Sequence, residues 1–303
     1  MVSKRKKRMN QSINISEVAF IGLGVMGYPM AGHLSKQSFN VTVYNRTVSK
    51  AETWTSEYSG QYAATPYDAA KDAQVVVVCV GNDDDVRSVV YGDTGVLSSM
   101  RPGSILLDHT TTSAELAEEL AVKCSEKGIS FIDAPVSGGQ VGAENGVLTV
   151  MCGGQKHTFE AISPVLASYS NQADLLGKNG QGQRCKMVNQ ICIVGVLKGL
   201  SEAVLLAKKS GLSIEQVVDV LKHGAAGSWQ MENRAVTMSS NQFDFGFAID
   251  WMRKDLGFCL NEAKKKGLSL PLTEEVDNQY RLLHDLGFGR MDTSVLIKAY
   301  DNE

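Results

Sequence analysis

The six cysteines of this 303-residue chain form no C-x-x-C pair and no zinc-ligand spacing, so neither a disulfide framework nor any metal site is expected. They read as reduced thiols of a cytoplasmic protein, with Cys79 and Cys152 inside apolar strand-like runs and hence in the core. No apolar run reads as long enough to span a membrane, and no internal repeat is present. No apolar segment follows the basic run Lys4-Arg5-Lys6-Lys7-Arg8, so a secretory signal is not expected, and the run lacks the amphipathic length of a transit peptide. Beyond that run, acidic residues outnumber basic ones. The formal net charge is −3, and setting aside those five consecutive cations leaves −8. An acidic body argues against a general nucleic-acid surface. Residues 1–15, which carry the basic run, are expected to be a disordered tail; a nuclear import signal or a nucleic-acid contact are its other readings.

Against these absences stands one glycine-rich turn. Val18-Ala19-Phe20-Ile21 is an apolar strand that runs into Gly22-Leu23-Gly24-Val25-Met26-Gly27, and an amphipathic stretch follows over Tyr28 to Gln37. Strand, G-x-G-x-x-G turn and helix is the order a dinucleotide pyrophosphate site requires. Gly22 permits the tight turn, the bare Gly24 lets backbone approach the phosphates, and Gly27 lets the helix lie close on the strand. The helix N-terminus adds free N–H groups and a partial positive charge. The competing reading is a turn that merely packs a helix on a sheet.

The chain is long enough for two domains, and 43% hydrophobic and 21% charged residues are ordinary globular usage. Strands are predicted at 40–44, 74–80, 104–108, 130–134 and 147–152, with helical segments between them. One of these, Ala114 to Lys127, opens on the capping-box pattern Thr112-Ser113-Ala114-Glu115. Alternating strand and helix predicts an α/β Rossmann-type domain, a doubly wound parallel sheet, over residues 16–178. No convincing strand follows. Helices are predicted over Arg184 to Lys209, from Ser213 to about Lys222, over Asp250 to Lys266 and over Leu272 to Leu286, making residues 179–303 an all-α domain joined by a long inter-domain helix. The segment Gly177-Lys178-Asn179-Gly180-Gln181-Gly182 reads as the hinge.

Selectivity between nicotinamide cofactors is read at the end of the second strand, Tyr44-Asn45-Arg46-Thr47. The carboxylate that usually holds the ribose of NAD is missing there. Asn45 can bond a ribose, Arg46 can pair with a 2′-phosphate and Thr47 adds a donor, which points to NADP, with NAD possible if Arg46 lies over the adenine or in solvent. Three further segments bear on the rim of strand ends where such sheets bind ligands. They are Asp108-His109-Thr110-Thr111-Thr112, then Asp133-Ala134-Pro135-Val136-Ser137-Gly138-Gly139, then Gly180 to Gln190. Ser137, Gly138 and Gly139 offer a hydroxyl and backbone N–H groups to a substrate carboxylate. Lys186, Asn189 and Gln190 share one helix face, and a lysine with two amides is a poor choice for a pure core.

The chain resembles the β-hydroxyacid dehydrogenase family, which includes 3-hydroxyisobutyrate dehydrogenases, tartronate semialdehyde reductases and glyoxylate/succinic semialdehyde reductases. Four blocks carry the resemblance in order: Phe20 to Met30, Asp133 to Gly139, Gly182 to Asn189, and Lys254-Asp255-Leu256-Gly257. The resemblance implies that Lys186 is the catalytic lysine, that Ser137, Gly138 and Gly139 hold the substrate carboxylate, and that Asn189 is a substrate-binding amide. Val80, Gly81, Thr111 and Lys254 would contact the cofactor, the last two near the nicotinamide. Phe247 and Asp255 would be active-site residues from the helical domain, and Gln190 would join Asn189 on the substrate. A homodimer or homotetramer would follow, as would a small carboxylate-bearing substrate.

The chain departs from the commoner pattern at Val80-Gly81-Asn82-Asp83-Asp84-Asp85, at Gln190 and at Asp108-His109-Thr110-Thr111. None of these removes a catalytic group. His109 is either a pocket residue or a loop histidine. Trp229, Met231, Phe243, Phe247 and Trp251 are candidates for the substrate's side chain, with core packing the competing reading of Phe243 and Trp251. The expected reaction is hydride transfer between NADP(H) and a short hydroxy or oxo acid, with Lys186 managing the proton. The other readings are a non-catalytic dinucleotide sensor, imine reduction on the same scaffold, which Lys186 disfavours, and sugar-phosphate decarboxylation, which the short second half disfavours.

Overall fold

The computed structural model describes residues 15–301; the basic run at Lys4 to Arg8 lies outside them. The N-terminal half alternates as read. It runs β1 (Glu17–Ile21), α1 (Gly27–Lys36), β2 (Asn40–Tyr44), α2 (Val48–Glu57), β3 (Gln61–Tyr62), α3 (Pro66–Ala70), β4 (Val75–Val78), α4 (Asp83–Val90), β5 (Ile105–Asp108) and α5 (Ala114–Glu126). It closes with β6 (Ser130–Asp133), β7 (Val136–Ser137), α6 (Gly139–Glu144), β8 (Leu148–Gly154), α7 (Lys156–Leu166) and β9 (Ser170–Leu175). The strands lie in the order β3-β2-β1-β4-β5-β6-β8-β7, with β9 beside β8. All pairings are parallel except those of β8 with β6 and β7.

Why the central strands read as continuous apolar runs is plain from the packing. Alternate residues face opposite sides, and both sides are covered. Val18 and Phe20 of β1, with Val75 and Val77 of β4, join a core that includes Met30, Leu34 and Trp54. Their neighbours Ala19, Ile21, Val76 and Val78 join a second core with Leu106, Leu116 and Leu120. The strands missed in sequence are short or polar. β9 is Ser-Asn-Gln-Ala-Asp-Leu and has no fully buried position, so no apolar period announced it. The cap of α5 is Ser113, whose hydroxyl accepts from Leu116 N at 3.1 Å, rather than Thr112.

Beyond this sheet come α8 (Gln181–Lys209), α9 (Ile214–Leu221), α10 (Trp229–Ser239), α11 (Ile249–Lys265) and α12 (Pro271–Leu283), then short 3₁₀ and π turns to Tyr300. They enclose a third core that includes Val194, Leu197, Met238, Leu256 and Tyr280. α10 went unread, although Ser228 caps it and Met231, Ala235 and Met238 form its buried stripe at helical spacing.

Two expectations are corrected at α8. By length and composition this 29-residue helix is apolar enough to cross a bilayer, contrary to the reading that no such run exists. Part of its apolar surface lies in the protein's own interior: Val194, Leu197, Leu200 and Val204 are inside the helical core. The segment before it is also no free hinge. Asp133, at the end of β6, accepts Gly180 N at 2.8 Å and Gln183 N at 3.0 Å, and so caps the helix. Asn179 Nδ2 donates to Phe131 O at 2.9 Å and Gly153 O at 3.2 Å. A side chain at Gly182 would strike Met151 O. The first turn of α8 is therefore stitched to the sheet.

Candidate active site

The glycine turn after β1 is built as its sequence requires. Gly22 sits at φ 104°, and a side chain there would collide with Cys79 O of the neighbouring loop. A side chain at Gly27 would collide with Gly22 O, so only glycine lets α1 lie this close to its strand. Gly24 is exposed and has nothing within 4 Å of where a Cβ would stand. Bare backbone beside open space is what a pyrophosphate needs, and the residues present fit a dinucleotide. Leu23, Gly24 and Val25 also border a cleft of about 370 Å³ with Tyr28, Lys50 and Gln140. Val25 is exposed and Met26 stands at the N-cap of α1.

At the tip of β2 the three candidates differ in their surroundings. Asn45 accepts Leu23 N at 2.9 Å and donates to Thr47 O at 2.9 Å. Its amide thus helps shape the glycine turn and keeps one N–H and one lone pair for a further partner. Thr47 is exposed and its side chain caps nothing. Arg46 projects into solvent, 88% exposed, with Nη1 3.6 Å from Asp85 Oδ1.

One cation of the helical domain reaches the loops after both β4 and β5. Lys254 Nζ donates to Gly81 O at 2.9 Å and to Thr111 O at 2.7 Å, which joins α11 to both loops. Val80 N donates to Thr110 Oγ1 at 3.1 Å. Gln183, wholly buried, splints the second loop: its Nε2 donates to Thr110 O at 2.8 Å and its Oε1 accepts Thr112 N at 3.0 Å. The sequence alone assigns Gln183 no part. The signal was present, because Gln183 is i−3 from Lys186 and so shares its face.

Lys186 is 7% exposed, and among the described residues no hydrogen bond or ion pair holds its Nζ. Burial lowers its pKa, Asp255 opposes that, and Lys254 adds to it. Asp255 is anchored on the other side. Its Oδ2 accepts Gln190 Nε2 at 2.7 Å, and its Oδ1 lies 3.2 Å from Lys254 Nζ as an ion pair without hydrogen-bond geometry. Gln190 is 1% exposed, and its Oε1 accepts Asn189 Nδ2 at 2.8 Å. It therefore positions Asp255 and Asn189 instead of presenting its own amide. Lys186, Asn189, Gln190, Lys254, Asp255 and Thr111 come together; Gly81 joins them through its carbonyl.

The remaining candidates divide. Ser137 ends β7, and Gly138 and Gly139 follow at φ 128° and 61°, backbone that glycine alone adopts easily. Nothing lies within 4 Å of a Cβ at Gly139, so that turn is open. Phe247 packs against the helical core, with its N–H on Asp292 Oδ2 at 2.9 Å. Met231 and Phe243 are core residues, and Trp229 is exposed beneath Arg234. Trp251 is not core: it is exposed, with its ring edge 3.3 Å from where a Gly81 Cβ would be. His109 is settled as a structural residue. Its ring lies between Ala134 O, 2.6 Å from Nδ1, and Tyr169 Oη, 2.8 Å from Nε2. A carbonyl only accepts, so Nδ1 carries the proton and Nε2 accepts from the tyrosine. Burial lowers its pKa to about 4 and keeps it neutral. Beside it Asp108 is pushed up to about 7 by burial; its Oδ1 accepts Thr110 N at 2.9 Å, while Oδ2 is buried without a hydrogen-bond partner among the described residues.

Comparison with known proteins places the fold in a family. Residues 17–180 match the NAD binding domain of 6-phosphogluconate dehydrogenase, and residues 180–300 match the NAD-binding domain of NADP-dependent 3-hydroxyisobutyrate dehydrogenase. An oxidoreductase of Shewanella frigidimarina is 55% identical over 93% of this chain and 97% of its own length. The 2-(hydroxymethyl)glutarate dehydrogenase of Eubacterium barkeri is 34% identical over 97% of this chain and 96% of its own. The crystal structure of a 3-hydroxyisobutyrate dehydrogenase from Salmonella typhimurium superposes with a TM-score of 0.83 at 30% identity, covering 93% of this chain and 99% of that one. The matches run along nearly the whole length, and the chain belongs to the β-hydroxyacid dehydrogenase family of NAD(P)-dependent oxidoreductases.

Proposed function

We propose that the chain is an NADP(H)-preferring enzyme that interconverts a short 3-hydroxy (or 2- or 4-hydroxy) carboxylic acid and its semialdehyde or oxo form, with Lys186 as the general acid and base. The observation that carries this reading is the buried Lys186 amine, without a partner among the described residues and set on a helix whose first turn is fixed to the nucleotide-binding sheet. The bound cofactor supplies or accepts the hydride. In the reductive direction Lys186 gives a proton to the substrate oxygen; in oxidation its neutral amine takes one. Burial favours the neutral amine and brings the pKa towards the working range of such a base. Ser137 Oγ and the N–H groups of Gly138 and Gly139 offer the substrate carboxylate its partners, and Asn189 orients the substrate without adding charge. Arg46 at the tip of β2, with no carboxylate beside it on that strand, favours the 2′-phosphate. An exposed small and apolar stripe on α8, Val188, Cys192, Val196 and Ala203, supports assembly of two or more copies through this helix.

The test is turnover of a panel of short aldehydes and oxo acids with NADPH and NADH. Lys186→Ala is expected to lower kcat by about 10²- to 10⁴-fold, the usual worth of one positioned acid–base group, with cofactor affinity retained. Near wild-type turnover in that variant would refute the lysine's role. Cofactor binding without turnover of any panel member would favour a dinucleotide sensor.

A further inference from the structure

A carboxylate is missing from the tip of β2, but one stands beside Arg46 from the start of α4. In the order β2-β1-β4, the glycine turn that ends β1 lies between the tips of its two neighbours. Arg46 follows β2, and Asp85 stands in the first turn of α4, just beyond β4. Their side chains meet across the turn, Arg46 Nη1 3.6 Å from Asp85 Oδ1. Asp85 is held there. Its backbone N–H caps on Asn82 Oδ1 at 2.9 Å, and its Oδ2 lies against the bare Cα of Gly81, where a side chain would overlap it. It is 34% exposed, whereas Asp84 next to it is 97% exposed and turns towards Arg87.

We infer that Asp85 is a specificity-determining residue for the cofactor, a carboxylate that competes with a 2′-phosphate for Arg46 and so restrains the preference for NADP(H). The inference rests on the assignment of Arg46 to the 2′-phosphate. Without the phosphate, Asp85 neutralises Arg46 and can accept from a ribose hydroxyl, the part usually taken by the missing β2 carboxylate. With the phosphate, Arg46 must leave Asp85, which then stands near a group of like charge. An exposed ion pair of this kind is worth at most about 1 kcal/mol, roughly a factor of five in affinity, so the restraint is graded.

The experiment measures Kd for NADPH and NADH by nucleotide fluorescence on full-length wild type, Asp85→Asn, Asp84→Asn and Arg46→Ala. Asp85→Asn is expected to raise the NADPH-over-NADH affinity ratio by about fivefold, with the rise largest at low salt. Asp84→Asn changes the same net charge on the same turn and is expected to leave the ratio within about twofold. A ratio unchanged in Asp85→Asn overturns the inference, as does an equal rise in Asp84→Asn, which would mark a general surface-charge effect. Arg46→Ala reads the underlying assignment separately: an unaltered ratio there refutes the Arg46 reading itself, whatever Asp85→Asn does. Thermal unfolding of each variant confirms that the fold is intact, and Asp85→Ser serves as a second substitution that leaves the cap of α4, the Asn82 side chain, in place.

Discussion

At the scale of single residues, burial decides which titratable groups can do chemistry. Lys186 and His109 are both buried and both have depressed pKa values. His109 has a partner on each ring nitrogen, so its neutral form is locked in place. Lys186 has none among the described residues, and its proton is free to move. The sign of the histidine's effect on stability follows. Its folded pKa, about 4, lies below the ordinary 6.5, so the unfolded chain takes up the proton first and stability falls as pH drops through that window. The difference in unfolding free energy between wild type and His109→Gln is expected to shrink by about 3 kcal/mol from pH 6.5 to pH 4, measured by urea denaturation. The comparison with a variant is necessary because Asp108 and Asp133, pushed up to about 7 and about 6, act in the opposite sense as pH falls. Lys186→Met should remove the rise of the oxidation rate with pH, a rise that the depressed amine places below the ordinary lysine range; kcat against pH checks it.

Among the elements, the ends of helices carry most of the positioning. The lysine helix was legible because Lys186, Asn189 and Gln190 share a face, and the glycine turn was legible because steric demands admit only glycine at positions 22 and 27. What was not legible is which polar residue talks to which across the fold. Asp133 reads as a rim residue by its place after a strand, yet its carboxylate caps α8. Asn45 reads as a ribose ligand, and it also braces the turn beside it. Such partnerships span tens of residues and leave no period in the chain. Asp133→Ala should destabilise the protein by about 1–2 kcal/mol, the worth of a strong cap. Amide exchange should accelerate in residues 181–186 before it does in the rest of α8. Unchanged exchange there would show the cap to be idle. Gln183→Leu, which removes the splint on residues 110–112, is expected to raise KM for the cofactor more than it lowers kcat, because Lys254 leans on the carbonyl of Thr111.

Across the whole molecule, two halves are braced by charged contacts beside the site. Arg184 on α8 pairs with Glu262 of α11 at 2.6 Å and with Glu118 of α5 at 2.9 Å, and Lys265 meets Glu115 at 2.5 Å. A cleft of about 720 Å³, lined by residues that include Asp83, Ser113, Met187, Phe258 and Asn261, opens between them one turn along α11 from Lys254. Val196→Arg on the exposed face of α8 is expected to shift the mass measured by light scattering towards the monomer while leaving the cofactor cradle intact.

The continuity of α8 has a further consequence for how the protein comes apart. Its first turn is capped by a carboxylate of the sheet, and its middle supplies side chains to the helical core. A cut at residue 178 would leave Asp133 with a buried charge and lost partners on one side, and an uncapped helix on the other. Neither half is then expected to be a free-standing unit. Calorimetry of the intact chain should register one melting transition, with enthalpy matching the van't Hoff value, rather than the two that a pair of separately folding domains would give.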